Sequence, residues 1–180
     1  MEALECIKGR RSIRKFTDEK IPADKICQLV DMAAYAPSWK NTQVVRYVAV
    51  QDPVIKSRIA DNCVLGFTGN TAIIKGCPVL MLVTIVQGIS GYEKTGEPST
   101  SKADRWEVFD AGIATQTFCL AANDMGLGTV IMGVFDEDKV AKAVDLPKGQ
   151  VVAAMVALGY PDIAPNAPRR KNSDVLLTWK

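Results

Sequence analysis

Three guanidiniums and a hydroxyl fall close together near the start of this chain, in Gly9-Arg10-Arg11-Ser12-Ile13-Arg14. In an extended segment Arg10, Ser12 and Arg14 share one side, while Arg11 and Ile13 share the other. Two planar cations flanking a hydroxyl suit a doubly charged phosphate, because guanidinium forks match its oxygens and charge-assisted hydrogen bonds are the strong ones. The same cluster reads equally as a solvated basic turn. A second polar set, Pro37-Ser38-Trp39-Lys40-Asn41-Thr42-Gln43, offers donors and acceptors for a polyol or the edge of a heterocycle. It also reads as a capped connection between a helix and a strand. A third set, Arg169-Arg170-Lys171, lies in a proline-rich tail.

What is missing narrows the chemistry further. The chain has no histidine, which removes Ser-His-Asp and Cys-His catalysis and every zinc site that uses histidine. Carboxylates are scattered, with no pair at a spacing that marks acid–base work. The five cysteines are widely spaced without a C-x-x-C pair and read as reduced, buried thiols of a cytoplasmic protein. An enzyme with this inventory takes its chemistry from a cofactor.

The bulk composition is that of an ordinary globular domain. Hydrophobic residues make up 48% and charged residues 23% of 180 residues, and the net charge is +2. Such a balance gives no reason to expect nucleic acid or an anionic membrane as partner. No apolar run reaches membrane-span length, and Glu2 and Glu5 sit where a signal peptide would be apolar. The expectation is a single domain over 1–180, with 164–180 as a tail.

Several elements must position the polar sets. Leu4, Cys6 and Ile7 suggest a short helix ended by Gly9. Pro22 opens a helix with Ile26, Leu29, Val30, Ala33 and Ala34 on one stripe, stopped before Pro37. Val44 to Val50 reads as a strand, and Asp52-Pro53 opens a helix to about Asn62. The stretch from Gly66 to Asn70 reads as flexible. Val79 to Val86 reads as a buried central strand. Gln87 to Asp104, rich in glycine and serine, reads as the least ordered stretch, either a substrate lid or a surface excursion. Trp106 to Met125 is a long helix, apolar nearly all round and therefore buried. Thr129 to Val134 is a short strand, Glu137 to Val144 a helix, and Val151 to Leu158 a buried strand. The tail ends in Val175-Leu176-Leu177-Thr178-Trp179, an apolar, β-prone end that suggests an arm lying on a partner subunit.

Gly126-Leu127-Gly128-Thr129 through Gly133 looks like a dinucleotide-binding glycine run, but a helix precedes it where that fingerprint needs a strand. Taken together, four segments resemble the nitroreductase family of FMN enzymes. They are Arg10-Arg11-Ser12-Ile13-Arg14-Lys15-Phe16, then Ala36 to Gln43, then Gly126 to Gly133, and last Leu158-Gly159-Tyr160-Pro161 with Arg169. They occur in the family's order and span nearly the whole chain.

The resemblance implies an α+β fold: a central, mostly antiparallel sheet sandwiched by helices, with a C-terminal arm exchanged in a homodimer. It implies FMN at the subunit interface, and hydride passing from NADH or NADPH through FMN to nitroaromatics, quinones or similar acceptors by a ping-pong scheme. Carried over by position, Arg10 and Arg169 would hold the phosphate with Ser12 beside them, and Arg11 and Arg170 would add charge. Arg14 would sit at the pyrimidine end of the ring. Pro37, Ser38, Trp39 and Asn41 would reach the flavin of the other subunit. Ile131, Met132 and Gly133 would lie along the ring, with a backbone N–H donating to it, and Asn70 would contact the ribityl chain or pyrimidine. Trp106 or Phe67 could cover the flavin face. Bulky Trp39, cationic Lys40 and the unplaced 87–104 segment depart from the pattern where acceptor choice would be set. Two other readings stay open: a flavin store or sensor that does not turn over, and a specialised member doing dehalogenation or flavin fragmentation.

Overall fold

The computed structural model of the protein describes residues 2–180. In chain order α1 (Ala3–Gly9) precedes the basic segment and α2 (Ala23–Ala33) follows it. A short 3-10 turn (Trp39–Asn41) then leads into β1 (Val45–Val50). Next come α3 (Pro53–Asn62), α4 (Thr68–Gly76), β2 (Val79–Val86), α5 (Arg105–Asp124) and β3 (Gly128–Met132). The chain ends with α6 (Glu137–Ala143), β4 (Gln150–Gly159) and α7 (Ser173–Leu176). The four strands form one antiparallel sheet in the order β1-β2-β4-β3.

Strand β2 divides the interior. Its side chains alternate across the sheet, as a strand's must. Leu80 and Leu82 join a cluster with Ile59, Ile74, Val140 and Met155, under α3, α4 and α6. Val79, Met81, Val83 and Ile85 join the other cluster with Leu29, Phe118, Ala122 and Leu158, under α2 and α5. Helices therefore cover both faces, which explains why β2 reads as a continuous apolar run rather than an alternating one. The expected antiparallel sheet between helices is present.

Local sequence explains most boundaries. Asp52 caps α3 by accepting hydrogen bonds from the N–H groups of Val54 and Ile55 at 2.7 and 3.0 Å, with Pro53 in the first turn. The small residues Ala111, Ala114 and Ala122 let α5 lie close on the sheet, and Phe118 is fully buried beneath it.

Three expectations fail. The stretch read as flexible contains the start of α4, where Thr68-Gly69-Asn70 are weak helix formers held by burial of Ile73 and Ile74 further along. The 87–104 segment is folded back on itself. Tyr92 pairs with Pro98, the Ser99 N–H donates to the Gly91 carbonyl at 2.8 Å, and Ser90 is fully buried. The tail's apolar end holds the four-residue α7 rather than a strand. Within 161–180 only Pro165 is even half-buried, and Trp179 is 86% exposed.

Candidate active site

The basic segment runs as an added strand along the outer edge of β3. Ser12 pairs in parallel with Thr129, and the Ile13 N–H donates to the Thr129 carbonyl at 2.9 Å. On its other side, the Thr17 N–H donates to the Tyr160 carbonyl and the Asp162 N–H to the Lys15 carbonyl, at 3.0 and 3.1 Å. Two glycines make this strap possible. A Cβ on Gly128 would stand 2.7 Å from Ile13 Cγ1, and one on Gly159 would stand 2.8 Å from Phe16 Cδ1. Gly128 and Gly159 therefore admit the strap's anchors Ile13 and Phe16 against the sheet, whereas Gly126 and Gly133 have open space where a Cβ would stand.

With Ile13 and Phe16 turned into the core, the polar side chains of the strap face outward. Arg10, Arg11, Ser12 and Arg14 line a cleft of about 310 Å³, closed on its far side by Pro165, Asn166, Pro168 and Arg170 of the tail. Arg169 lines the neighbouring hollow with Arg170, Lys171, Asn172 and Val175. Among the described residues no carboxylate pairs with any of these five arginines. Their few contacts are to backbone carbonyls: Arg11 to Lys8 and Arg10, Arg14 to Ser12, and Arg170 to Pro168. Four guanidiniums around one small cleft repel one another unless an anion enters. A dianionic phosphate fits this donor set, which is the structural test that an FMN phosphate site has to meet.

The third motif meets the strap at the sheet edge. Thr129 spends its outward carbonyl on Ile13, and by alternation Ile131 presents its own N–H and C=O at the same edge. The Ile131 side chain is 49% exposed, whereas the Met132 side chain is buried in the core, leaving that residue only its backbone to offer. Asn70 is 5% exposed, and its amide donates to the Val134 carbonyl at 3.1 Å, pinning the chain just beyond Gly133. Phe67, at the start of α4, is 52% exposed three residues away.

The Pro37–Gln43 loop does not line the basic cleft of its own chain. Pro37 and Ser38 line a separate groove of about 700 Å³ between α2, β1 and α5. Tyr47 Oη and Thr42 Oγ1, in residues of that groove, are buried without a hydrogen-bond partner, as is Trp39 Nε1 in the loop. Burial pushes the Tyr47 hydroxyl up to about 12, with a smaller contribution from Cys119. The loop is tightly wound, with Lys40, Asn41 and Gln43 at φ of 45°, 57° and 49°, the left-handed region that favours glycine. Trp39 packs on Trp106 with ring centroids 4.8 Å apart, and Trp106 meets Phe109 edge-on at 5.5 Å. Lys40 pairs with Glu93 at 3.0 Å, tying the loop to the 87–104 segment. Hydrogen bonds from Ser99 and Lys40 hold the Glu93 carboxyl below its usual range.

Two residues of this region escaped the sequence reading. Glu107 and Asp110, 4% and 2% exposed, sit one turn apart in α5. Glu107 accepts hydrogen bonds from the Gly88 and Ile89 N–H groups, and burial still pushes its carboxyl above the usual range. Asp110 accepts from the Trp39 N–H and from Ser90 Oγ. The available signal was two acids three residues apart inside a helix otherwise apolar nearly all round.

The nitroreductase family model matches residues 7–72 and 65–160. The chain is 30% identical to an NADPH-flavin oxidoreductase of Vibrio harveyi over 183 residues, covering 97% of this chain and 72% of that one. It is 28% identical to an FMN reductase [NAD(P)H] of Bacillus subtilis over 178 residues, covering 93% and 70%. Its structure resembles the crystal structure of a nitroreductase family protein from Clostridium novyi NT with a TM-score of 0.76 at 30% identity, over 89% of this chain and 87% of that one. The four motifs, the antiparallel sheet between helices and the match from residue 7 to residue 160 agree, and the chain belongs to the nitroreductase family.

Proposed function

We propose that this protein is an NAD(P)H-dependent flavin oxidoreductase that holds FMN with its phosphate in the Arg10–Arg170 cleft. The observation that carries this reading is the convergence of Arg10, Arg11, Arg14 and Arg170 on one cleft, with no carboxylate to neutralise them among the described residues. Relatives named NADPH-flavin oxidoreductase and FMN reductase support the same cofactor. Arg10 and Ser12 would hold the phosphate from the strap, and Arg170 from the tail, with Arg169 reaching over from the next hollow. Arg14 would place a cation near the pyrimidine end of the ring, where it favours negative charge there. The free edge at Ile131 would give the ring a backbone donor, and Asn70 would keep that edge in place. Bound FMN supplies the chemistry, taking hydride from NADH or NADPH and passing it to a nitroaromatic, quinone or similar acceptor by a ping-pong scheme. No side-chain base is required of the protein, so a chain without histidine can do this work.

The reading includes a homodimer. None of Pro37, Ser38, Trp39 and Asn41 lines the basic cleft of its own protomer, and Pro37 and Ser38 line a separate groove, so in this reading the loop that meets the flavin comes from a second copy. The exposed arm from Ala164, with Val175, Leu176 and Trp179 outward, supplies apolar surface for that copy to cover.

Purified protein should be yellow and should bleach under anaerobic addition of NADH or NADPH. A colourless protein that binds no added FMN would refute the reading. A yellow protein that neither nicotinamide bleaches would make it a flavin store instead.

A further inference from the structure

We infer that Asp110 is a positioning residue: its buried carboxylate holds the Trp39–Asn41 turn in the shape that contacts the flavin. This rests on the FMN reading above and adds a residue outside the four motifs.

Asp110 is 2% exposed, and among the described residues no cation pairs with it. An unpaired buried carboxylate is costly unless its oxygens are well hydrogen-bonded. Here the hydrogen-bond partners among the described residues are loop groups. The Trp39 N–H donates to both oxygens at 3.1 and 3.0 Å, and Ser90 Oγ–H donates to one at 2.7 Å. One carboxylate on a rigid twenty-residue helix therefore ties together two loops. The loop it holds needs such a tie. Lys40, Asn41 and Gln43 all carry positive φ. The loop's own bonds are few: the Asn41 N–H to the Ser38 carbonyl, the Thr42 N–H to the Trp39 carbonyl, and the Gln43 N–H to Ser38 Oγ. These bonds close the turn on itself, whereas Asp110 fixes where the turn sits on the helix. The Lys40–Glu93 pair is a second link between the same loops, but both side chains are half-exposed, so solvent screens it.

Releasing the turn makes FMN binding bear the cost of ordering it. Asp110→Ala leaves the Trp39 N–H and Ser90 hydroxyl unpaired. Asp110→Asn keeps the shape: its carbonyl accepts from Trp39 while its amide donates to Ser90 Oγ. Geometry and charge thus separate cleanly between the two variants.

The test measures FMN affinity by titrating flavin-free protein, and amide hydrogen exchange over 38–43 in that same flavin-free protein. Wild type is measured first; if it binds no FMN, the flavin reading itself fails and the inference falls with it. Given binding, D110A should exchange the 38–43 amides at least about tenfold faster and bind FMN at least about tenfold more weakly, with exchange in β2 and β4 unchanged. D110N should stay within about threefold of wild type in both. Glu93→Gln, which cuts the screened link, should also stay within about threefold. If D110A does not fold, Asp110→Ser takes its place, its hydroxyl one bond short of the positions from which the carboxylate accepts the Trp39 N–H, with faster 38–43 exchange and weaker FMN binding expected. Wild-type exchange and affinity in the folded truncated variant, or losses in D110N equal to those of the truncated variant, would overturn the inference; the second result would assign the effect to charge.

Discussion

Gly128→Ala is the sharpest probe of how the sheet builds the basic cleft. The backbone at Gly128 lies outside the left-handed region, so alanine is conformationally allowed and would stiffen the unfolded chain by about 0.4–1 kcal/mol in favour of folding. Against this, the new methyl would stand 2.7 Å from Ile13 Cγ1, 2.8 Å from Ile13 Cβ and 3.0 Å from Ile13 Cγ2. Overpacking of this kind costs about 1–3 kcal/mol. The upper half of that range applies, because Cβ is fixed to the backbone and cannot swing away. The net loss is about 2 kcal/mol, or a fall in Tm of about 4–8 °C for a chain of this size. The relief is paid in position, since Ile13 must leave β3 and loosen the Ile13–Thr129 hydrogen bond that aligns Arg10, Ser12 and Arg14. FMN affinity should fall along with Tm. Because the Cβ contact exists in every residue but glycine, the double variant with Ile13→Ala should recover little. Thermal melts and FMN titration of G128A, I13A and the double variant check this. A G128A protein within 1 °C of wild type, or one fully rescued by I13A, would refute the close-packing account.

Arg10→Ala should weaken FMN binding by about 1.5–3 kcal/mol, the range for hydrogen bonds to charged groups, as read by titrating flavin-free protein. Removing the chain from Ala164 onward should give monomers or aggregate in light scattering and should also strip one wall of the cleft; a stable, FMN-loaded dimer from that chain would count against the wrapping arm. Tyr47 should ionise only near the alkaline end of an ultraviolet titration, because burial raises its hydroxyl to about 12. Between about pH 10 and 12 the folded protein keeps a proton that the unfolded chain has lost. Tyr47 therefore contributes stability fully below pH 10 and loses it as pH rises through 12, and Tyr47→Phe should flatten that part of the stability curve.

The parts legible in the sequence were those where local pattern and tertiary demand agree. β2 and β4 read as strands because both their faces are buried. Helix α5 read as buried all round from its apolar composition, but only the face with Ala111, Ala114, Phe118 and Ala122 meets the sheet, and Val108 and Phe109 on the other are 63% and 58% exposed. The motif glycines were visible too, but not their purpose: Gly128 and Gly159 are small to admit Ile13 and Phe16, a contact across more than a hundred residues that no local pattern carries. Helix α4 was missed because Thr-Gly-Asn at its start has poor helix propensity, and packing of Ile73 and Ile74 decides the matter. The 87–104 segment read as the least ordered because its internal turns follow no periodic pattern, and because the carboxylates that hold Gly88, Ile89 and Ser90 belong to Glu107 and Asp110 outside it. Within the cleft, Arg10, Ser12 and Arg14 were legible as a basic set, but alternation put Arg11 on the far side with Ile13 and it lines the same cleft; which tail arginine joins them depends on the path of an arm without local periodicity.

The strap's pairing partners also set when the pocket can exist. Ile13 bonds to Thr129, and Lys15 to Asp162, so the strap waits for segments more than a hundred residues further along the chain before it finds its neighbours. A nascent chain halted before β3 carries Arg10, Arg11 and Arg14 but nothing to lay the strap against. Contacts this distant along the chain form late and slowly, so the basic cleft takes shape only after β3 and the segment beyond β4 have been made.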